Sequence, residues 1–459
     1  MKKYLLAGTS AFALALTAGA ANAQSAPGKF DIKISGDAYF EAGFVSASLD
    51  KDTANRSYSS NDFINRFRLE INPEATADNG LKYGAKVRIR ANSGDGRVDG
   101  DKAYIYLSGA FGSVQGGVTY GPSDVTYVGH PNDFQIVGNY DQWKYYVPSA
   151  ATGGVSSTAA GRGGVQQFAW GQYGNGSSAG GAAPASDGMQ LLHSHDLDTK
   201  IVYYTPRFFG KSAATGLQAA VSYAPQVGSA LDGGVSVNTS VGRNSNIGAA
   251  ITDSAGLSQQ VLAFRDVYEL TANYVETFDK FTVKGSVGYE GGNTMQSSTA
   301  TVGAATDQTR YNDLQSFQIG AQVGYEIDSV QKVAIGGGYV NNFKSGYRKA
   351  NLGTQDFSTD QTSWNIGGQY TYGPIVAGVK YLAQKDAGDL LTAGNRTLNS
   401  ITAGVMYTVA PGLRTGLEYT NFEAKSDLSL DNTANSGSLT TGSKKQTGNI
   451  VLVRGVVSF

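Results

Sequence analysis

The sequence predicts an all-β protein: a transmembrane antiparallel β-barrel of sixteen strands. Three observations favour this fold. The last strand ends on an aromatic residue, polar and apolar residues alternate with a period of two along most of the chain, and the connections alternate between short and long. A closed barrel suits lipid because every strand is paired on both sides and no edge is left open.

The carboxyl-terminal strand is the most informative segment, and we predict it at 446–459. Its apolar parity comprises Val451, Val453, Gly455, Val457 and Phe459. Arg454 and Ser458 lie on the opposite parity, which is the pattern of a strand with one apolar face. The end of a soluble domain is usually polar and frayed. A strand that closes a barrel can instead present its apolar face to hydrocarbon.

Residues 1–23 have the pattern of a secretory signal peptide. Lys2 and Lys3 give a positive start, 5–18 is mostly apolar, and Ala21-Asn-Ala23 provides a small-residue cleavage site. The apolar stretch is too short to span a bilayer as a helix. We therefore expect a mature barrel, 24–459, exported by a Gram-negative bacterium.

Composition excludes several function classes. The formal net charge of −1 becomes −3 when Lys2 and Lys3 leave with the signal peptide, so no strong field favours a nucleic-acid partner. The chain has no Cys, which excludes disulfides, thiolate metal ligands and a thiol nucleophile. No cofactor is predicted. Mean hydropathy is −0.24, and no later segment has the run of about 18 apolar residues that a membrane helix needs.

Alternation gives each strand an outward and an inward parity. Apolar residues such as Ile34, Phe67 and Val87 share the outward parity, and charged residues share the inward parity. The strands are predicted near 30–44, 61–73, 81–91, 100–109, 113–121, 196–206, 216–226, 263–277, 281–290, 317–325, 332–343, 361–373, 375–386, 396–410, 413–419 and 446–459.

The connections support the same topology. Those after even-numbered strands are short turns, such as 110–112 and 278–280, whereas most of those after odd-numbered strands are long and polar, such as 227–262 and 425–445. Short periplasmic turns and long outer loops are typical of bacterial barrels, and an even strand count places both chain ends in the periplasm.

The inward parity of the second and third strands predicts a basic wall, which we define as Arg66, Arg68, Lys86, Arg88 and Arg90. Unpaired charge in a dry core costs several kcal/mol, so this interior must contain water. A barrel of sixteen strands is wide enough for an aqueous lumen. The alternative is that these cations are scattered wall charges without a joint role.

Five segments resemble the hairpins of general diffusion porins of Gram-negative bacteria, and of the alphaproteobacterial type most closely. They are ATADNGLKYGA at 75–85, AYIYLSGAFGSV at 103–114, YYTPRFFG at 203–210, GLQAAVSY at 216–223 and YTVAPGL at 407–413. The resemblance implies a multi-pass protein of the outer membrane, in contact with the lipid bilayer and lipopolysaccharide. It also implies a homotrimer joined through strands one to five.

The resemblance further implies that the third loop, from 122 to about 195, folds into the lumen. We also call this loop the third connection. Its acids Asp124, Asp133 and Asp141 would then face the basic wall. The loop departs from the family pattern because it is longer and richer in Gly, Ala and Ser. The alternative is that these acids lie in solvent.

The favoured function is a water-filled channel for passive diffusion of ions and small hydrophilic solutes. A substrate-specific channel is the nearer alternative, but the inward parity shows few of the aromatic residues that it would need. An adhesive or structural barrel would not need a charged wall. The three histidines, His130, His193 and His195, lie in no nucleophile motif, so no enzyme is predicted. His193, His195 and Asp198 offer only a weak metal-site pattern.

Overall fold

A computed structural model of the chain describes residues 30–48, 57, 59–92, 98–129, 134, 146, 191, 198–227, 250–252, 258–260, 264–294, 312–345, 358–388, 393–427 and 443–459. The expected signal peptide, 1–23, lies outside them. Within these ranges, no helix is both long and apolar enough to cross a membrane.

The described residues form eighteen strands, which we number in chain order. They are β1 Asp31–Ala47, β2 Asn61–Thr76, β3 Lys82–Asn92, β4 Val98–Gly109, β5 Gly112–Val118, β6 Thr199–Tyr204, β7 Gly216–Val227, β8 Ala250–Thr252, β9 Ser258–Gln260, β10 Phe264–Phe278, β11 Phe281–Thr294, β12 Leu314–Glu326, β13 Gln331–Phe343, β14 Gln361–Tyr372, β15 Ile375–Gly388, β16 Ala393–Ala410, β17 Leu413–Ser426 and β18 Lys445–Ser458.

Sixteen of these strands close into one antiparallel barrel, which confirms the predicted fold class. Each barrel strand pairs with the next one along the chain, and β1 pairs with β18 to complete the ring. β8 and β9 form a separate two-stranded sheet, so β7 pairs directly with β10. The sixth predicted strand, near 196–206, is shorter than expected, at Thr199–Tyr204.

The short turns fall where the sequence predicts them, after β2, β4, β6, β10, β12, β14 and β16. Several of them contain a glycine with positive φ. Gly112, after β4, has a φ of +106°, and Gly412, after β16, has a φ of +80°. A side chain at Gly112 would overlap the carbonyl oxygen of Tyr204 on β6. These turns can therefore reverse the chain only with a residue that tolerates positive φ.

The outward face is apolar and most of the inward face is polar, as the alternation predicts. On β12, the outward side chains Ile319 and Val323 are 48% and 47% exposed, whereas Gln318 is 1% exposed. On β18, Val453 and Val457 are exposed to the outside, as is Phe459 directly after the strand, and Arg454 is buried. One face of the sheet therefore suits hydrocarbon and the other encloses polar groups.

Aromatic side chains lie at both edges of the apolar band, near the two ends of the strands. Phe281 and Tyr325 lie near the turn end, with ring centroids 4.6 Å apart. Trp364 and Tyr381 lie nearer the opposite end, 5.2 Å apart. Along β12, Phe317 and Tyr325 are separated by about 27 Å of strand, or about 20 Å along the membrane normal at a tilt near 40°. Such girdles place amphipathic rings at the two membrane interfaces.

Candidate functional site

The structure brings the basic wall into one patch on the inner surface. Directly opposite residues in an antiparallel pair point to the same face of a sheet. Arg68 lies opposite Arg90, and Glu70 lies opposite Arg88, across β2 and β3. Like charges that face each other repel, so this patch requires water or nearby carboxylates.

Two cations of the basic wall are paired with carboxylates of neighbouring strands. The Arg66 guanidinium donates to Asp37 on β1, with 2.8 Å between Nη2 and Oδ2. Lys86 Nζ lies 2.5 Å from Glu70 Oε2. Both pairs are partly exposed to the lumen, so each contributes little to stability and mainly fixes the position of its side chains.

The prediction that few aromatic residues face the lumen is wrong. The lumen-facing tyrosines among the described residues include Tyr39, Tyr104, Tyr106, Tyr120 and Tyr204. Tyr104 and Tyr106 are examples, because they lie opposite Lys86 and Gly84 in the regular part of the β3–β4 pairing. Their inward direction follows from the alternation of 102–108, in which Ala103, Ile105 and Leu107 have the opposite parity.

Lys102 is a further cation of this patch that the predicted basic wall does not include. Lys102 lies on β4 directly opposite Arg88. Its Nζ is 3.6 Å from the centroid of the Tyr120 ring. Arg88 donates a hydrogen bond of 2.9 Å to the Tyr120 hydroxyl. Two opposed cations therefore share one aromatic ring, whose negative face reduces their mutual repulsion.

The chain after Tyr120 lies against the inner face of β10 to β14. A short helix, Pro122–Thr126, begins this segment. The Ser123 hydroxyl donates to Glu269 on β10 at 2.6 Å, and the Ser123 backbone N–H donates to the same oxygen at 3.2 Å. Further along, the Val128 N–H donates to Ser286 on β11 at 2.8 Å. Asn365 on β14 donates to the Gly129 carbonyl at 3.0 Å.

Glycines on the inner face of β12 to β14 provide the room for this segment. A side chain at Gly320 would overlap the carbonyl oxygen of Val128, and one at Gly338 would overlap the Tyr127 hydroxyl. At Gly367, an added Cβ would lie 2.7 Å from the ring of Phe134. We call Gly320, Gly338 and Gly367 the glycine recess. Its signal in the sequence is glycine at inward positions where a polar side chain is expected.

Of the three predicted loop acids, only Asp124 is among the described residues; Asp133 and Asp141 lie outside them. Asp124 is in the first turn of the short helix. It lies close enough to Lys102 for a favourable electrostatic interaction. The acid is therefore near the edge of the basic patch, beside the cation that sequence reasoning missed.

Tyr146 is a second point at which the third connection meets the inner wall. It is fully buried, and its hydroxyl donates to Glu41 on β1 at 2.9 Å. Glu41 also accepts a hydrogen bond of 2.6 Å from Arg454 on β18, across the seam that closes the barrel. Burial, together with the neighbouring Glu41 carboxylate, raises the pKa of Tyr146. The phenol is therefore held neutral, as a hydrogen-bond donor.

An apolar cluster surrounds Tyr146 on the inner face. It comprises Val45, Leu398, Phe422, Ala424, Ile450 and Leu452. The expectation that only one face of the last strand is apolar therefore fails in the middle of β18, where Ile450 and Leu452 point inward. The reason is local: this part of the wall is covered by a loop residue rather than by water.

No group of three or more His, Asp or Glu side chains in the described ranges is arranged to hold a metal ion. His193 and His195, which gave the weak metal-site pattern, lie outside these ranges.

A model of the Gram-negative porin family matches residues 10–427 of the chain. Comparison with curated protein sequences found no match. Among solved structures, a loop L8 deletion mutant of OmpT, an outer membrane protein of Vibrio cholerae, is 14% identical over 94% of this chain and 99% of that chain, with a TM-score of 0.48. A triple mutant of the Rhodopseudomonas blastica porin is 15% identical over 94% of this chain and 100% of that chain, with a TM-score of 0.44. These structural likenesses are remote, and the family rests on the sequence match.

Proposed function

This chain belongs to the Gram-negative porin family, and within that family we propose that solutes pass a constriction between the basic wall and acids of the third connection. The protein is an outer-membrane channel through which ions and small hydrophilic solutes diffuse passively. The family and the barrel point to a channel rather than an enzyme, and we assign no catalytic residue.

The observation that carries the proposal is that the basic wall and the third connection occupy different parts of the same inner surface. The basic wall lies on β2 and β3. One described stretch of the third connection, 122–129, is hydrogen-bonded to β10, β11 and β14. These two groups of strands lie far apart around the ring. A lumen that is lined by cations on one side and occupied on another by an acid-bearing segment is narrowed there.

Such a constriction would carry a field across the pore. In our proposal, Asp124, Asp133 and Asp141 supply the negative side, and Arg66, Arg68, Lys86, Arg88 and Arg90 supply the positive side. Fixed charges in a narrow section hold water there and orient dipolar solutes, which favours hydrated solutes over apolar ones.

The test is the reversal potential of single channels in a planar bilayer under a salt gradient. Neutralising Arg68 and Arg90 together to Gln should move the cation-to-anion permeability ratio toward cations. Changing Asp133 and Asp141 together to Asn should move it toward anions. Lys33→Gln is the matched control, because Lys33 lies on the same side of the barrel near its periplasmic end and is 63% exposed, so its charge is screened.

Folding of each variant is checked by its heat-modifiable migration on a gel, since the altered side chains face the lumen rather than lipid. An unchanged ratio in both double variants would place the constriction elsewhere and end the proposal.

A substrate-selective channel is a second candidate, because tyrosines line the patch that carries the basic wall. Tyr39 is the clearest example: its ring lies 4.8 Å from the Arg66 guanidinium and 4.0 Å from that of Arg454. Rings beside cations can bind a solute that has both an anionic and an apolar part. Saturation of the flux as solute concentration rises would favour this candidate, whereas a linear rise favours simple diffusion.

We further propose that the protein is a homotrimer that contacts bilayer lipids and lipopolysaccharide. The outward aromatic girdles support the contact with lipid. The connection between β3 and β4, which spans only 93–97, supports an interface through β1 to β5, because a short outer connection leaves that side of the barrel accessible to a neighbour. Native mass measurement in mild detergent should give three chains, and monomers alone would contradict the trimer.

A further inference from the structure

Tyr120 occupies the position from which the third connection leaves the barrel wall. It follows β5, which ends at Val118, and it precedes the short helix Pro122–Thr126. Its side chain is 8% exposed, although it lies at the edge of an aqueous lumen. A phenol that is buried in such a place must be covered by specific neighbours.

Those neighbours are two cations of β3 and β4. Arg88 Nη2 donates to the Tyr120 hydroxyl at 2.9 Å, and the Arg88 Cζ lies 5.4 Å from the ring centroid. Lys102 Nζ lies over the same ring at 3.6 Å. Both distances from the ring are within the range of a cation–π interaction, which is stronger when the cation is partly desolvated.

Three residues further on, at Ser123, the same segment is hydrogen-bonded to β10. Ser123 donates two hydrogen bonds to Glu269 on β10, one from its hydroxyl and one from its backbone N–H. A side chain at Gly121 would overlap the Glu269 carboxylate, so the segment lies directly against that group. From Tyr120 to Ser123 the chain can span at most about 11 Å. Fixing both ends of so short a segment fixes its path.

We propose that Tyr120 is a positioning residue, and that Arg88, Lys102 and Tyr120 form a clamp that sets the distance of the third connection from the basic wall. This inference rests on the proposed constriction, because the clamp matters for transport only if that connection narrows the lumen. Arg88 thus has two roles, as a wall charge and as a partner of the phenol.

The clamp predicts that loss of the ring and loss of a wall charge act in opposite directions on selectivity. Removing the ring in Tyr120→Leu uncovers Arg88 and Lys102, so the permeability ratio should move toward anions. Neutralising Arg68 and Arg90 moves it toward cations. Removing the ring should also raise the population of the released segment by about fivefold or more, the size expected for one cation–π pair. This increase appears as open-channel current noise.

The experiment records single-channel noise and reversal potential for the wild type, Tyr120→Phe, Tyr120→Leu and Lys102→Met. The noise should increase in the order wild type, Tyr120→Phe, Tyr120→Leu, because Phe keeps the ring and loses only the hydroxyl. Tyr106→Leu is the matched control, since it removes a lumen-facing tyrosine whose hydroxyl donates to Glu74 on β2, away from the third connection, and it should leave the noise unchanged.

The outcomes separate the two claims. If Tyr120→Leu is as quiet as the wild type while neutralising Arg68 and Arg90 still shifts the permeability ratio, the clamp is wrong and the constriction stands. If Tyr120→Leu changes nothing and both double variants also leave the permeability ratio unchanged, the constriction itself is wrong. Should Tyr120→Leu fail to fold, Lys102→Met decides, because it removes the cation over the ring: noise equal to that of the wild type overturns the clamp, and raised noise supports it.

Discussion

The glycine recess makes a prediction that can be tested with a single methyl group. In Gly367→Ala, the new Cβ would lie 2.7 Å from two ring atoms of Phe134 and 2.9 Å from its Cβ. Ordinary contacts between carbon atoms are about 3.5–4.0 Å. The Phe134 side chain therefore has to move by about 1 Å or leave the recess, and it is almost completely buried, at 1% exposed.

The loss of stability in Gly367→Ala can be estimated for each of the two ways in which the overlap is relieved. Tolerating the overlap costs about 1–3 kcal/mol, as for other overpacked sites. Releasing Phe134 costs about 1.5–3 kcal/mol of lost burial. The free energy of unfolding should thus fall by about 1–3 kcal/mol. For a chain of 459 residues, the entropy of unfolding is about 1 kcal/mol/K, so the midpoint of heat denaturation should fall by about 1–3 °C.

Gly368→Ala is the matched control, because Gly368 is the next residue on β14 and faces outward. Its added Cβ would lie no closer than 3.6 Å to a neighbouring atom. The two variants are compared by the temperature at which the folded band is lost on a gel and by single-channel conductance. Gly367→Ala should be less stable and should show altered conductance.

A double-mutant cycle tests the cause. In a Phe134→Ala background, Gly367→Ala should have almost no effect, since the overlapping ring is gone. Equal denaturation temperatures for Gly367→Ala and Gly368→Ala, or an undiminished effect of Gly367→Ala without the ring, would refute the packing of Phe134 in the recess.

Three further predictions follow from the barrel. Glu41→Gln should destabilise the fold by about 3–5 kcal/mol, because it leaves the Arg454 charge buried at the closing seam; an unchanged denaturation temperature would contradict this. Tyr146→Phe removes only the donor to Glu41 and should cost about 1.5–3 kcal/mol, measured by the same gel assay against Tyr419→Phe on the outer face. Protease applied to whole cells should cut the connections after β7 and β17 and spare the β10–β11 turn, and cleavage confined to that turn would reverse the topology.

The strands could be predicted because their signal is local. A period of two depends only on which face of the sheet each residue occupies, and that face determines whether it meets lipid or the lumen. Arg66 and Arg90 were therefore assigned an inward direction from the sequence alone. Lys102 on β4 follows the same alternation and lies opposite Arg88, so a basic wall predicted from two strands alone is too narrow by one strand.

The contacts of the third connection could not be predicted, because they join residues that are far apart in sequence. Ser123 binds Glu269, 146 positions further on, and Tyr146 binds Glu41, 105 positions earlier. No periodicity links such pairs. The loop acids were chosen by family resemblance, and only Asp124 falls among the described residues.

Residues of the barrel strands determine the position of the third connection more than residues of the loop itself do. The loop sequence is rich in Gly, Ala and Ser, which bury little apolar surface, so few of its residues, such as Phe134 and Tyr146, can anchor it. The wall instead offers a recess without side chains at Gly320, Gly338 and Gly367, flanked by the polar groups of Glu269 and Ser286. Polar side chains at the three glycines would occupy the recess and would already be hydrogen-bonded to water. Docking of the segment would then bring no net stabilisation. Inward glycine on consecutive barrel strands, next to inward acceptors, is therefore the feature by which a docked loop is recognised in a sequence of this kind.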